Sequence, residues 1–544
     1  MKRFLQISIE HIEQRPLSLL SFTMAFFSLI IVRLFIENIL GFFDERSFFY
    51  FFFEFTHTFL FFLCAFLLLL PLVRFAGTVD ISKATNILLS GFLIILTPPI
   101  IDTLIFRGGQ FWSFYEFDGA LGLIKRFFTL FGDTPNIGIT YGVRIEVVIV
   151  TIALGLYTFL KSSRLTKALL VSLGTYTLLF ILGTLPSWVT LILLTWQKSF
   201  LLINQNDVAA LFLTPENIFA RYLSDFRSVL NVKMSIIYGI LALTLIALTF
   251  WRTYPTYFKA LWNNARLPQL LYHGGLLFLG MALAFFFTET PLRIDFFHMA
   301  GAFLLLASVE SAWLASVVVN DLFDIRIDQE TNSSRPLIQN TLPKELYKIL
   351  GGLFFITSLI LSGIISFSAL LALLGYQAIA WIYSAPPFRL KRIPLVATLL
   401  AAFAGILILV VGFVTIAPSH DFTLLPLPLL FFLFIAYALA LPLKDFKDIA
   451  GDTIDRVYTL PVVLGITKAK LLMGSFLFLL YVASPLVLNA RVLFLPAMVL
   501  GSITFWIIQK SIADEHSWMA YRKLPGNVLV VTLLYGLFII FLLF

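Results

Sequence analysis

Fifteen apolar runs constrain this chain, at about 16–41, 48–73, 85–106, 141–161, 166–195, 234–251, 268–287, 296–319, 346–366, 368–384, 395–417, 425–442, 470–488, 492–510 and 526–544. Crossing a membrane's hydrocarbon core takes about 20 residues of helix. No water is available there to a bare N–H or C=O, so a spanning segment must satisfy its backbone internally. Runs of this length are therefore read as helices. Composition agrees, with 60% of the 544 residues hydrophobic and 12% charged. The predicted fold class is an all-α polytopic membrane protein.

The formal net charge of +8 does not point to nucleic acid. Its basic residues are scattered in short loops between apolar runs and form neither a stripe nor a binding motif. They read instead as topology determinants beside anionic lipid headgroups. In the stretch from 268 onward, alternate loops carry Arg326, Arg335, Lys344, Arg389, Lys391, Arg392, Lys444, Lys447, Arg456, Lys468, Lys470, Lys510, Arg522 and Lys523, whereas the opposite loops carry Arg293 and Arg491. The positive-inside rule makes the first set cytoplasmic. The same rule is weaker over the first six runs, whose long loops carry Arg107, Lys125, Arg126, Lys198, Arg221 and Arg227. One cysteine, Cys64, lies in an apolar run and excludes both an internal disulfide and a thiolate metal site. Met1-Lys2-Arg3 leads into an apolar stretch too long for a signal peptide, so a retained first helix is expected. A basic, proline-containing connector from Arg252 to Arg266 separates a module of about six spans, 1–260, from a nine-span domain, 261–544.

Chemistry enters with two acidic stretches. Asn320-Asp321-Leu322-Phe323-Asp324-Ile325-Arg326-Ile327-Asp328 closes one run, and Lys444-Asp445-Phe446-Lys447-Asp448-Ile449-Ala450-Gly451-Asp452 closes another. Each places aspartates at i, i+3 and i+7, the spacing of one helical face. Like charges one turn apart repel, so such stripes make a poor solvated face. They make a good cage for hard divalent cations, which take oxygen ligands and bridge to phosphates. By the loop charges both stretches open on the cytoplasmic side.

These paired motifs resemble the UbiA superfamily of intramembrane prenyltransferases over about 268–544. Arg335-Pro336-Leu337, Tyr383-Ser384-Ala385-Pro386-Pro387 with Arg389 and Lys391, and Thr459-Leu460-Pro461-Val462 extend the likeness, as does the count of nine spans. The resemblance implies a nine-helix bundle and transfer of a prenyl group from an isoprenyl diphosphate, with release of diphosphate, to an aromatic or lipid acceptor. It implies Mg²⁺ as cofactor, with Asn320, Asp321, Asp324 and Asp328 holding one metal and Asp445, Asp448 and Asp452 a second. Asp324, Asp328, Asp448 and Asp452 carry catalysis in this reading. Arg335, Tyr383, Arg389, Lys391, Lys444 and Lys447 are the substrate-binding candidates. Six carboxylates and a diphosphate of about −3 give about −9, and two Mg²⁺ leave about −5 for the basic residues to offset. The loop after the first motif lacks the His-Pro-x-Lys-Arg of the phosphoribosyl-transferring branch, which disfavours that substrate.

Other polar residues read differently. Glu310 faces into the bundle, as an acceptor contact or a bond to a neighbouring helix, and His298 lies near the outer interface. Asp102, Arg144 and Glu146 suggest a buried ion pair within 1–260. No Walker loop, His-Glu-x-x-His, Gly-x-Ser-x-Gly or dinucleotide fingerprint occurs. The rival class is a lipid or small-molecule transporter or flippase, supported by the charges of the first half. The first half also admits a protein partner.

Overall fold

The computed structural model describes residues 2–40, 48–106, 115–132, 138–291, 293–331, 335–447, 449, 459–510 and 523–543. Fourteen helices among the described residues are long and apolar enough to cross a membrane, and Leu524–Leu543 forms a further apolar helix. The chain is an integral, multi-pass, all-α membrane protein. Two compact units divide it: Met1–Asn217 with Tyr222–Pro255, and Ile218–Arg221 with Thr256–Phe544.

In the first unit, one expected span narrows midway yet remains a single candidate span, Ile81–Ile105, and another is divided. Run 85–106 becomes Ile81–Gly91, a 3-10 turn and Thr97–Phe106, which opens with Pro98 and Pro99. Run 166–195 becomes Leu165–Gly183 and Leu185–Leu194, with Thr184 (φ −119°, ψ 15°) between them and Pro186 opening the second piece. Proline has no N–H to give the preceding turn, so it starts helices and breaks continuous ones. Arg144 donates to the carbonyls of Ile139 (3.1 Å) and Phe131 (3.3 Å), while Asp102 accepts from the Gly142 N–H at 2.7 Å. Both act on backbone at, or ahead of, the first turn of the helix Tyr141–Ser162. Two short strands, Glu216–Ile218 and Arg221–Leu223, follow the helix Gln205–Leu213.

The helices of the second unit are α1 Leu267–Thr288, α2 Phe296–Phe323, α3 Ile325–Thr331, α4 Lys344–Ile365 and α5 Phe367–Ser384. They continue as α6 Pro394–Ile416, α7 Leu427–Ala440, α8 Ile466–Val487, α9 Phe494–Lys510 and α10 Leu524–Leu543. Side-chain caps set two starts: Asp295 accepts from the N–H groups of Phe297 and His298, and Ser366 from that of Ala369. In lipid, close packing rather than apolar burial holds helices together, and small residues permit it. Gly280 on α1 and Gly412 on α6 show this directly. A Cβ at Gly280 would come within 1.9 Å of the Leu409 carbonyl oxygen, and one at Gly412 within 2.0 Å of that of Leu277. The core around this crossing contains Leu277, Met281, Leu305, Val309, Leu373, Leu409 and Phe413. On its inner side α1, α2, α5, α6 and α7 line a cavity of about 1840 Å³, which α8 and α10 extend.

Candidate active site

The first acidic motif is not one helical stripe. Helix α2 ends at Phe323, and Asp324 caps it with φ −107° and ψ 13° before α3 begins. The Asp324 N–H still donates to Asn320 (3.0 Å) and the Asp328 N–H to Asp324 (2.8 Å), but the chain has turned. The three carboxylates therefore meet different partners, and cations placed between them remove the repulsion that a continuous stripe would carry.

Asp321, 2% exposed, is enclosed. It accepts from Asn264 Nδ2 (2.8 Å), Arg266 Nη2 (3.0 Å), Arg335 Nη1 (2.7 Å) and the Tyr347 hydroxyl (2.8 Å). Arg335 bridges from Asp321 to Asp328. Asp324 pairs with Arg389 Nη2 at 2.8 Å and with Lys391. Lys391 Nζ also reaches Asn320 Oδ1 at 3.0 Å, and the Ser384 hydroxyl donates to that oxygen at 3.1 Å. Burial lowers the Arg266 pKa, against the Asp321 carboxylate beside it, and burial lowers that of Lys391, against Asp324.

Among the described residues no three acidic, histidine or cysteine side chains form a metal cage. The expected quartet of Asn320, Asp321, Asp324 and Asp328 thus does not converge on one point. Asn320 and Asp324 do converge, one turn apart on α2, with the Lys391 ammonium held between their oxygens. Two hard oxygen donors that already hold a cation are a fit for Mg²⁺ chemistry. Asp321 does not fit that role, because all its lone pairs face arginine, asparagine and tyrosine donors.

The second motif is described in part. After α7 the chain continues as a 3-10 turn, Leu441–Lys447, containing Pro442, so Lys444 and Asp445 lie on a tighter turn than the expected α-helical face. Lys444 lines the cavity and Asp445 is half-buried. The Lys447 side chain, Asp448 and Asp452 lie outside the described residues.

The cavity ties these groups to the membrane interior. Asn320, Asp324, Asp328, Arg335, Tyr383 and Lys444 line its polar end, and Leu276, Leu283, Leu409, Leu433 and Ile539 its apolar length. Sequence reasoning missed Asn264, Arg266 and Tyr347, and gave Ser384 no role although it lies in the Tyr383-Ser384-Ala385-Pro386-Pro387 stretch. Arg266 closes the basic connector ahead of a span, a usable signal, but nothing local distinguishes Tyr347. Glu310 is also partly buried, and its Oε2 has no hydrogen-bond partner, so the expected bond to a neighbouring helix is not seen.

A helical bundle with a charged pocket above a long apolar cavity belongs to the class of membrane enzymes that act on amphiphilic substrates. Residues 276–540 match the UbiA prenyltransferase family, and this part of the chain belongs to that family. The protein is an integral membrane prenyltransferase that uses an isoprenyl diphosphate. Digeranylgeranylglyceryl phosphate synthase of Saccharolobus solfataricus is 26% identical over 225 residues, covering 40% of this chain and 78% of that enzyme. A protein of Oryza sativa named probable homogentisate phytyltransferase 2 is 28% identical over 36% of this chain and 53% of its own. The solved structure of a UbiA homologue from Archaeoglobus fulgidus bound to GPP and Mg²⁺ is similar at 21% identity and a TM-score of 0.39, covering 51% of this chain and 98% of that one.

Proposed function

We propose that this enzyme moves a prenyl group from its diphosphate to the hydroxyl of a membrane lipid, releasing diphosphate, with Mg²⁺ as cofactor. The observation that carries the reading is the cavity of about 1840 Å³, charged at one end and apolar along its length. Ordinary small-molecule pockets hold about 300–1,000 Å³, so two apolar substrates fit together here. Asn320 and Asp324 would hold Mg²⁺ on this face, with Asp328 nearby and Asp445, Asp448 and Asp452 supplying the second set. Bound there, the metal neutralises charge that builds on the departing diphosphate. The protein's own contribution is positional and electrostatic. Arg335, Arg389, Lys391, Lys444 and Lys447 bind the phosphate oxygens, and Tyr383 stands at the cavity mouth. The apolar length takes the prenyl tail and excludes water from the allylic carbon.

Relatives named as digeranylgeranylglyceryl phosphate synthases favour a glycerol-based lipid alcohol as acceptor. An aromatic acceptor is the second reading, favoured by the relative named as a phytyltransferase. The site opens to the cytoplasmic side, as the loop charges argue. Residues 1–260 stand outside the chemical step and serve lipid gathering or a protein partner. The test is mass spectrometry of products from the intact protein with labelled prenyl diphosphates and a panel of lipid and aromatic acceptors. An ether of a lipid alcohol is expected with Mg²⁺. Prenylation of aromatic acceptors alone would replace the lipid reading, and no prenylated product with any acceptor would overturn both.

A further inference from the structure

Two turns below the diphosphate anchor, the cavity wall carries a histidine that the proposed binding chemistry does not use. His273 on α1 is 6% exposed and lines the cavity. Its Nδ1 lies 2.7 Å from the Gln269 carbonyl oxygen. A carbonyl only accepts, so Nδ1 carries the hydrogen and Nε2 is left with a lone pair. That lone pair lies 3.5 Å from the Tyr376 hydroxyl. The imidazole rests on the Trp313 indole, ring centroids 4.7 Å apart and planes at 31°, which fixes its orientation.

Position along α2 gives the distance to the chemistry. Trp313, Ser316 and Asn320 are spaced i, i+3 and i+7 and all line the cavity. At 1.5 Å per residue, Trp313 lies about 10 Å below Asn320. A diphosphate held at Asn320 and Asp324 puts its allylic carbon about one turn down, between Ser316 and the imidazole. An acceptor hydroxyl attacking that carbon from the apolar side would pass along the wall that His273, Trp313 and Ser316 form.

We propose that His273 is the general base of the transfer. The inference rests on the lipid-alcohol reading above. The bond from the allylic carbon to the diphosphate oxygen breaks, and its electron pair leaves with diphosphate. A lone pair of the acceptor oxygen forms the new carbon–oxygen bond, and the hydroxyl proton passes to Nε2. The imidazolium returns that proton to the departing diphosphate by way of the Tyr376 hydroxyl and Ser316, which both line the cavity. The titratable groups around the imidazole are Tyr272 on its own helix, Glu310 on α2, Tyr376 on α5 and Tyr437 on α7, stacked on Tyr272; α6 brings none.

The test uses the full chain in lipid nanodiscs with Mg²⁺, a labelled prenyl diphosphate and a lipid alcohol, comparing wild type with His273→Gln. Turnover should fall about 10²–10⁴-fold, the range for a lost general base. Binding of an uncleavable prenyl thiodiphosphate should be unchanged, and wild type should lose rate on the acid side where the variant does not. Turnover near wild type, or the same acid limb in the variant, overturns the proposal, since diphosphate itself would then take the proton. A parallel loss of thiodiphosphate binding also overturns it in favour of a packing role. Should His273→Gln not fold, wild type decides: turnover independent of pH on the acid side sinks the inference. If wild type forms no ether with any alcohol, the acceptor reading fails and takes this inference with it, whereas ether formed equally by both proteins removes the inference alone.

Discussion

Both units bury charge, and they use it in opposite ways. In the first, Glu13 accepts from Lys161 (2.9 Å) and the Tyr157 hydroxyl (3.0 Å), Arg126 pairs with Asp118 (2.6 Å) and Glu116, and Lys233 pairs with Glu216. These side chains tie one segment to another. In the second, Asn320, Asp324, Asp328 and Arg335 stand at the wall of a cavity that a substrate can enter. The difference teaches that buried charge alone does not mark a site in a membrane protein. Convergence on reachable space does.

The same division runs through the acidic motif itself. Asp321 acts like the charges of the first unit and Asp324 like those of the second, although they are three residues apart. Removing Asp321 should therefore unfold rather than merely inactivate. Asp321→Ala leaves Arg266 and Arg335 facing a void, and breaking a buried pair costs roughly 3–5 kcal/mol. Thermal unfolding in detergent should show a large drop in Tm. An unchanged Tm with lost activity would put Asp321 back among the catalytic groups.

Asp324→Ala should do the reverse. Its transfer rate should fall by about 10²–10³-fold, as when a main electrostatic stabiliser is lost, with a smaller change in Tm because its carboxylate is less enclosed than that of Asp321. EDTA should stop transfer by the wild type and Mg²⁺ restore it. Full turnover in EDTA would sink the metal assignment.

In the first unit, Lys161→Met leaves Glu13 buried with one partner fewer, which costs about 1–3 kcal/mol. Tm should fall while turnover at saturating substrates stays at the wild-type value. A selective loss of turnover, with Tm unchanged, would show that the first unit contributes to the chemistry.

The gentlest test concerns orientation. In a Cys64→Ser background, Asn340→Cys and Lys523→Cys should both label from the cytoplasmic face, and Ser419→Cys from the other, with no change in activity. Asn340 and Lys523 labelling from opposite faces would contradict the topology read from the loop charges.

Sequence alone determined the spans, because a chain with this hydropathy has no other way to satisfy its backbone in lipid. The likeness of the paired aspartate motifs to a known family put Asn320, Asp324, Arg335, Arg389 and Lys391 together as candidates; charge placement alone did not, because basic residues at the ends of apolar helices also serve as topology determinants. Only the tertiary structure separated Asp321 from Asp324. The spacing i, i+3 places both on one helical face, but a helix end at Phe323 and the cations on either side decide which oxygens face the cavity. Tyr347 and Asn264 became visible only through folding, since each is an ordinary residue in its own segment. The same holds for His273: a lone histidine in an apolar run says nothing until Gln269 fixes its tautomer and Tyr376, from a helix 103 residues away in sequence, meets its free nitrogen. Hydropathy acts along the chain and is legible there; the direction of a lone pair depends on what packs against it.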